Sequence, residues 1–201
     1  LHPSNLVAII KTDQKGEVEL GCRKLTDVQA AIRGFDRPII GAINGVAVTG
    51  GFELALWCDV LIVSPEAKFA DTHARVGVIP GWGLSQRLSR LIGINREREL
   101  SFTGNFLSAS KAENWGLVNR IVESEALLPI CKALAEDMAS CDRQTLVRYK
   151  QIINEGAGMD LDNALKYERL GTELHSASQT KLAVMKNKDS IMSRSRAKSA
   201  V

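Results

Sequence analysis

Apolar runs and helical spacings alternate along the first part of the chain. Asn5 to Thr12 (NLVAIIKT) is a short run rich in branched residues, and the turn-like DQKG and the alternating EVEL follow it. This predicts strand, turn, strand. DVQAAIRGF then places Val28, Ile32 and Phe35 on one helical face, and Pro38 ends that helix. IIGAINGVAV reads as one buried strand running through Thr49, Gly50 and Gly51 into a helix that begins near Gly51, and the apolar DVLIVS comes next. Strand, helix, strand is a crossover unit, so the front of the chain is expected to be α/β.

Beyond Pro80 the pattern becomes helical. WGLSQRLSRLIG is amphipathic and stopped by Gly93, and SASKAENWG is opened by Ser108 and stopped by Gly116. LVNRIV is a short strand. ALLPICKALAEDMASC, RQTLVRYKQIINEG and DLDNALKYERLGTELHSA carry the apolar spacing of three packed helices, with no convincing strand after Glu123. Two regions follow, an α/β core over 1–122 and a helical region over 123–201.

Composition adds exclusions. A chain of 201 residues, 45% hydrophobic and 24% charged, is large enough to bury one core. The net charge of +3 is dispersed among interleaved acids and bases, which argues against nucleic acid as a partner. Cys22, Cys58, Cys131 and Cys141 lack CxxC spacing, so no metal is expected and a reducing, intracellular setting fits. No apolar run reaches the roughly 20 residues of a membrane span, so no membrane partner is expected.

The chemistry concentrates in TGGFELALWCDV, Thr49 to Val60. Glu53 lies within the buried part of this pattern, where an unpartnered carboxylate costs about 1–3 kcal/mol even in forgiving settings. Glycines before a helix permit tight turning, and the free N–H groups of the first helical turn suit a negative oxygen. Were the ligand a thioester, those donors would stabilise an enolate, with Glu53 placed one turn on to handle a proton. The plainer alternative stays open: a glycine pair and an N-terminal helix charge worth about 0.3–1 kcal/mol. The glycines do not have GxGxxG spacing, which disfavours a dinucleotide-dependent dehydrogenase.

Length decides between these readings. RPIIGAINGVAVTGGFELALWCDVLIVSPEAKFADTHARVGVIPGWGLSQRLSRLIG, Arg37 to Gly93, with FTGNFLSASKAENWGLVNRIV, Phe102 to Val122, resembles the enoyl-CoA hydratase/isomerase (crotonase) family. The text DTHARxGxxPxWGLSQ marks a subgroup within it. The resemblance implies an α/β, ClpP-like spiral of strand-strand-helix units followed by a helical C-terminal region. It implies an acyl-CoA thioester substrate, no cofactor beyond that CoA, and a homotrimer or hexamer, with 123–201 serving oligomerisation and covering the pocket. It does not choose among mitochondrial, peroxisomal and cytoplasmic locations. Residue by residue, it places an oxyanion-hole N–H on Gly50 and a catalytic carboxylate on Glu53, while Thr49 replaces the first glycine of the family's triplet.

Two departures qualify that picture. Where family hydratases read F-G-Q-P-E, this chain reads FADTH without a gap, so His73 stands in place of the second catalytic glutamate and Asp71 lies two residues before it. An imidazole can serve as acid or base; alternatively it only hydrogen-bonds Asp71 or another neighbour. At the front, which is short relative to the family, VELGCRKL is the segment that aligns with F-x-x-G-x-D-L, making Leu20 the other oxyanion donor and Gly21 the family glycine. Trp57, Trp82 and Trp115 read as packing, with Trp82 in the turn that lines the family's acyl pocket. The expected reaction is hydration of a 2-enoyl-CoA, as in fatty acid β-oxidation. Isomerisation, decarboxylation or hydrolysis on the same scaffold, and acyl-CoA binding without turnover, are its rivals.

Overall fold

The computed structural model describes residues 8–12 and 25–176. The reading of DQKG and EVEL, together with Leu20 and Gly21, lies outside the described residues. The chain divides into two compact units, 1–143 and 144–201.

In the first unit, β1 (Ala8–Thr12), β2 (Ile39–Ile43), β4 (Val60–Val63) and β7 (Arg120–Ile121) form one parallel sheet in the order β1-β2-β4-β7. β3 (Val46–Val48), β5 (Lys68–Ala70) and β6 (Leu107–Ser108) form a second, in which β3 and β5 run parallel and β6 antiparallel to β5. The single strand expected from Ile39 to Val48 is therefore two. The chain leaves β2 at Asn44-Gly45, a turn dipeptide within the otherwise apolar run, and enters the other sheet as β3.

All five residues of β2 are buried because both faces of its sheet are covered, as a parallel sheet requires. On one face Ile40, Ala42 and Ile62 pack with Leu127 and Cys131 of α7 (Ser124–Ala139). On the other, Ile43 and Val63 join Phe52, Phe69, Leu84, Leu88, Ile92, Leu100 and Leu107 in the main core. So α7 is a sheet-covering helix. Its apolar spacing is satisfied by β2 and β4. In the second unit α8 (Arg143–Gly156) and α9 (Leu161–Ser176) meet where Gly171 leaves room for Ile152, and Thr145 Oγ1 lies 2.9 Å from His175 Nε2.

Asp59, which closes the apolar run of the opening motif, ties the two central strands together. Its Oδ2 accepts the Ile39 N–H at 2.7 Å and its own N–H donates to Ile39 O at 2.8 Å. Asn119 does the same for β7, accepting from Leu61 N at 2.8 Å and donating back to Leu61 O at 2.9 Å.

Gly41 is the point of closest approach in this sheet. A Cβ there would lie 2.6 Å from Leu61 Cδ2 and 3.0 Å from Cys58 Sγ. Gly41→Val is expected to overpack the core and destabilise the fold by about 1–3 kcal/mol, read as a lower urea midpoint at unchanged slope.

Candidate functional site

The site is built where the two sheets hand over to helices. β3 ends at Val48, and Thr49 turns the chain directly into α2 (Gly50–Ala55). Thr49 has φ 50° and ψ −119°, a left-handed conformation that glycine adopts easily and a β-branched residue does not. It is the one described non-glycine residue with positive φ. Its side chain makes no capping bond to the helix. Instead Thr49 Oγ1 lies 2.6 Å from Thr72 Oγ1, and Thr49 N donates to Ala70 O at 3.3 Å, so the turn is held from the end of β5. Thr49→Val keeps the branched shape but removes the hydroxyl pair. The expected loss is about 1 kcal/mol of stability, measurable as a lower Tm.

One turn into α2, Glu53 is 4% exposed; His73, which faces it, and Asp71, which contacts His73, are 5% and 3% exposed. Three ionisable side chains share one buried spot. Glu53 Oε1 accepts the backbone N–H of Trp82 at 2.6 Å and, more weakly, that of Leu84 at 3.4 Å. Its Oε2 lies 3.6 Å from His73 Nε2. On the far side of the ring, His73 Nδ1 is 2.6 Å from Asp71 Oδ1, and the same oxygen accepts the His73 backbone N–H at 3.2 Å. These contacts offset the cost of burying Glu53, because a buried carboxylate is tolerable where hydrogen bonds replace its water.

Local structure explains how the three arrive together. β5 ends at Ala70, placing Asp71 and Thr72 just past the end of the central strand of its sheet, and the short α3 (His73–Val76) carries the imidazole toward Glu53 of α2. The loop 77–83 then brings the Trp82 N–H onto Glu53 before α4 (Leu84–Ile92) begins. Trp82 is held at both ends of its peptide, for Trp57 Nε1 donates to its carbonyl at 2.7 Å. Arg87 lies over the Trp57 ring at 3.5 Å and donates to Leu56 O at 3.2 Å. Burial draws this guanidinium below its ordinary value, an effect opposed by Asp59. The Trp82 ring also lies over Gly50, 3.5 Å from where a Cβ would sit.

Of the residues singled out from the sequence, the structure therefore brings Gly50, Glu53 and His73 into one neighbourhood. Two contributors were not legible as site residues. Trp82 acts through its main-chain N–H, which leaves no trace in residue type. Asp71 was visible as a possible neighbour of His73, but its position on the Nδ1 side of the ring needed the fold.

A sheet-to-helix turn of small residues beside a buried Glu-His-Asp chain defines an α/β protein with three ionisable side chains gathered where β3 and β5 end. The enoyl-CoA hydratase/isomerase family model matches residues 10–190, and the chain belongs to that family. A probable peroxisomal enoyl-CoA hydratase of Arabidopsis thaliana is 43% identical over 169 residues, covering 84% of this chain and 64% of that protein. A short-chain enoyl-CoA hydratase of Clostridioides difficile is 43% identical over 131 residues, covering 65% of this chain and 83% of that protein. Among solved structures, an enoyl-CoA hydratase from Bacillus anthracis superposes with a TM-score of 0.72 at 34% identity, covering 81% of this chain and 66% of that one. The crotonase fold expected from the resemblance is the observed one. The chain spans 64% of the Arabidopsis protein and 51% of a matching short-chain enoyl-CoA hydratase from Clostridium acetobutylicum.

Proposed function

We propose that this chain carries the acid–base centre of an enzyme that adds water across the double bond of a 2-enoyl-CoA thioester. The observation that carries the reading is the placement of Glu53: a buried carboxylate, three residues past Gly50, with Oε1 fixed by the Trp82 N–H and Oε2 turned toward a second proton-bearing group. The thioester oxygen accepts the Gly50 N–H, which at the start of α2 has no intrahelical carbonyl. α2 is only six residues long, so this donor matters more than any helix field. Leu20 is assigned the second N–H, with Gly21 beside it, on the family alignment alone.

Water then adds through its oxygen to C3, and its departing proton goes to Glu53. Electron density moves onto the thioester oxygen, where the N–H donors stabilise it. C2 takes a proton from the Glu53–His73 pair, and the product is the 3-hydroxyacyl-CoA. The pair thus takes the place of the two glutamates of family hydratases. Because this chain keeps only one of those glutamates, single-proton chemistry such as double-bond isomerisation is the second reading.

No metal or separate cofactor enters these steps. Self-association is part of the proposal: α8 and α9 leave Tyr149, Ile153, Leu165 and Leu174 exposed, consistent with a homotrimer or hexamer. No described helix is long and apolar enough to cross a membrane.

The test is the loss of conjugated-thioester absorbance when crotonyl-CoA is added to the full chain, alongside binding of a saturated CoA ester. Decay with appearance of 3-hydroxybutyryl-CoA is the expected result. Binding without turnover would remove the hydration reading and leave CoA-ester binding.

A further inference from the structure

The buried chain of Asp71, His73 and Glu53 has a direction. Asp71 Oδ1 is 2.6 Å from Nδ1 of the imidazole and also accepts the His73 backbone N–H, while Nε2 faces Glu53 Oε2 at 3.6 Å. A carboxylate only accepts hydrogen bonds, so the 2.6 Å contact requires the proton to lie on Nδ1 or on Asp71 itself. The same carboxylate oxygen already accepts a second N–H from the His73 backbone, which favours the ionised acceptor and leaves the proton on the ring. We infer that Asp71 is a positioning residue: it holds the His73 imidazole by Nδ1–H, so that Nε2 is the nitrogen presented to Glu53.

The consequence is a division of labour between the two ring nitrogens. Nδ1–H is committed to Asp71, and only Nε2 exchanges a proton with Glu53. A bare Nε2 and an ionised Oε2 would face each other as two acceptors, so a proton on either one turns that contact from repulsive to attractive. When Nε2 carries it, Asp71 and Glu53 flank an imidazolium with a carboxylate on each side. Fixing the tautomer and ring plane through a carboxylate is the general way to give one imidazole nitrogen a defined task. Thr72, between Asp71 and His73, is itself held by the Thr49 hydroxyl, so the backbone that sets the ring is tied to the turn bearing Gly50. The inference concerns the orientation and proton of the ring; only its effect on turnover rests on the proposed hydration.

The chain contains three histidines, His2, His73 and His175, which makes the ring directly observable. The full chain labelled with ¹⁵N-histidine would be measured by long-range ¹H–¹⁵N correlation, with His73→Gln assigning the signals. The wild type is expected to carry a proton on His73 Nδ1. Asp71→Ala is expected to move it to Nε2, and Asp71→Asn, which keeps the side-chain shape, to shift that Nδ1 proton upfield as a charged acceptor becomes neutral. A bare Nδ1 in the wild type overturns the inference, and so does an Nδ1 proton signal unchanged in whichever variant folds. In the same samples, Asp71→Asn is expected to lower kcat for crotonyl-CoA hydration by about 10-fold or more with little change in KM. If the wild type does not hydrate the thioester but its ring signals respond as described, the reaction assignment fails and the positioning role stands.

Discussion

Glu53→Gln is expected to slow enoyl-CoA hydration by about 100-fold or more while leaving CoA-ester binding in place. The amide oxygen can still accept the Trp82 N–H that the Glu53 carboxylate accepts at 2.6 Å, so the loop and α2 keep their contact. Its NH2 group can donate to His73 Nε2, which lies 3.6 Å from the native Oε2. What the amide cannot do is take a proton from water, and that loss should fall on kcat. The assay is the decay of thioester absorbance under saturating substrate, with the Tm recorded beside it. A normal rate with a lowered Tm would make Glu53 a structural residue. This substitution is informative because it separates charge from shape: truncation to Ala would strand the Trp82 N–H and leave His73 and Asp71 without the other carboxylate, mixing a folding cost of about 3–5 kcal/mol into the kinetics.

Gly50→Pro is expected to remove the other half of the machinery, the N–H assigned to the thioester oxygen. Loss of one such donor costs about 10²- to 10³-fold in kcat, or roughly 2.7–4 kcal/mol of transition-state stabilisation. Proline is tolerated at the first position of a helix, which is where Gly50 stands after the N-cap Thr49. Its ring, however, disfavours the unusual conformation of Thr49 at φ 50° and ψ −119°, so some loss of stability accompanies the kinetic effect. Gly50→Ala supplies the control. A Cβ at this site meets Trp82 only at 3.5 Å, ordinary contact, and the N–H is retained. The expected order of kcat is wild type and Gly50→Ala together, with Gly50→Pro far below. Equal rates in Gly50→Pro and Gly50→Ala, both folded, would show that the Gly50 N–H does not hold the developing charge.

His73 bears on how a family site works when one of its two glutamates is absent. A glutamate facing a histidine Nε2 at 3.6 Å offers two positions for a proton, as two carboxylates do. The difference lies in what supports the second group. A second glutamate can be ionised without help from an acidic neighbour, whereas an imidazole has two nitrogens and must be told which one to use. Asp71 is proposed to supply that instruction from two residues away, through the 2.6 Å contact of its Oδ1 with the imidazole Nδ1.

Groups that share one short stretch were legible from the residues alone, because local spacing leaves them little freedom. Thr49, Gly50 and Glu53 fall within one strand-to-helix turn, and Asp71 and His73 are separated by a single residue, so local geometry carries each group. Helix ends were legible for the same reason: Gly93 and Gly116 stop α4 and α6, and the Ser108 side chain accepts the Lys111 N–H at the start of α6 (Ala109–Asn114). Only the tertiary structure decided what had no local signature. Asn44-Gly45 within the run from Ile39 to Val48 marks a turn, but that the second half joins a different sheet depends on which neighbours each half finds. The spacing of α7 could not say that its partner is a sheet instead of another helix. The state of Glu53 turned on a backbone N–H from Trp82, 29 residues further along the chain. Hydrogen bonding by the main chain is the same for every residue but proline, so its partners are set by the path of the fold and not by the identity of the side chain.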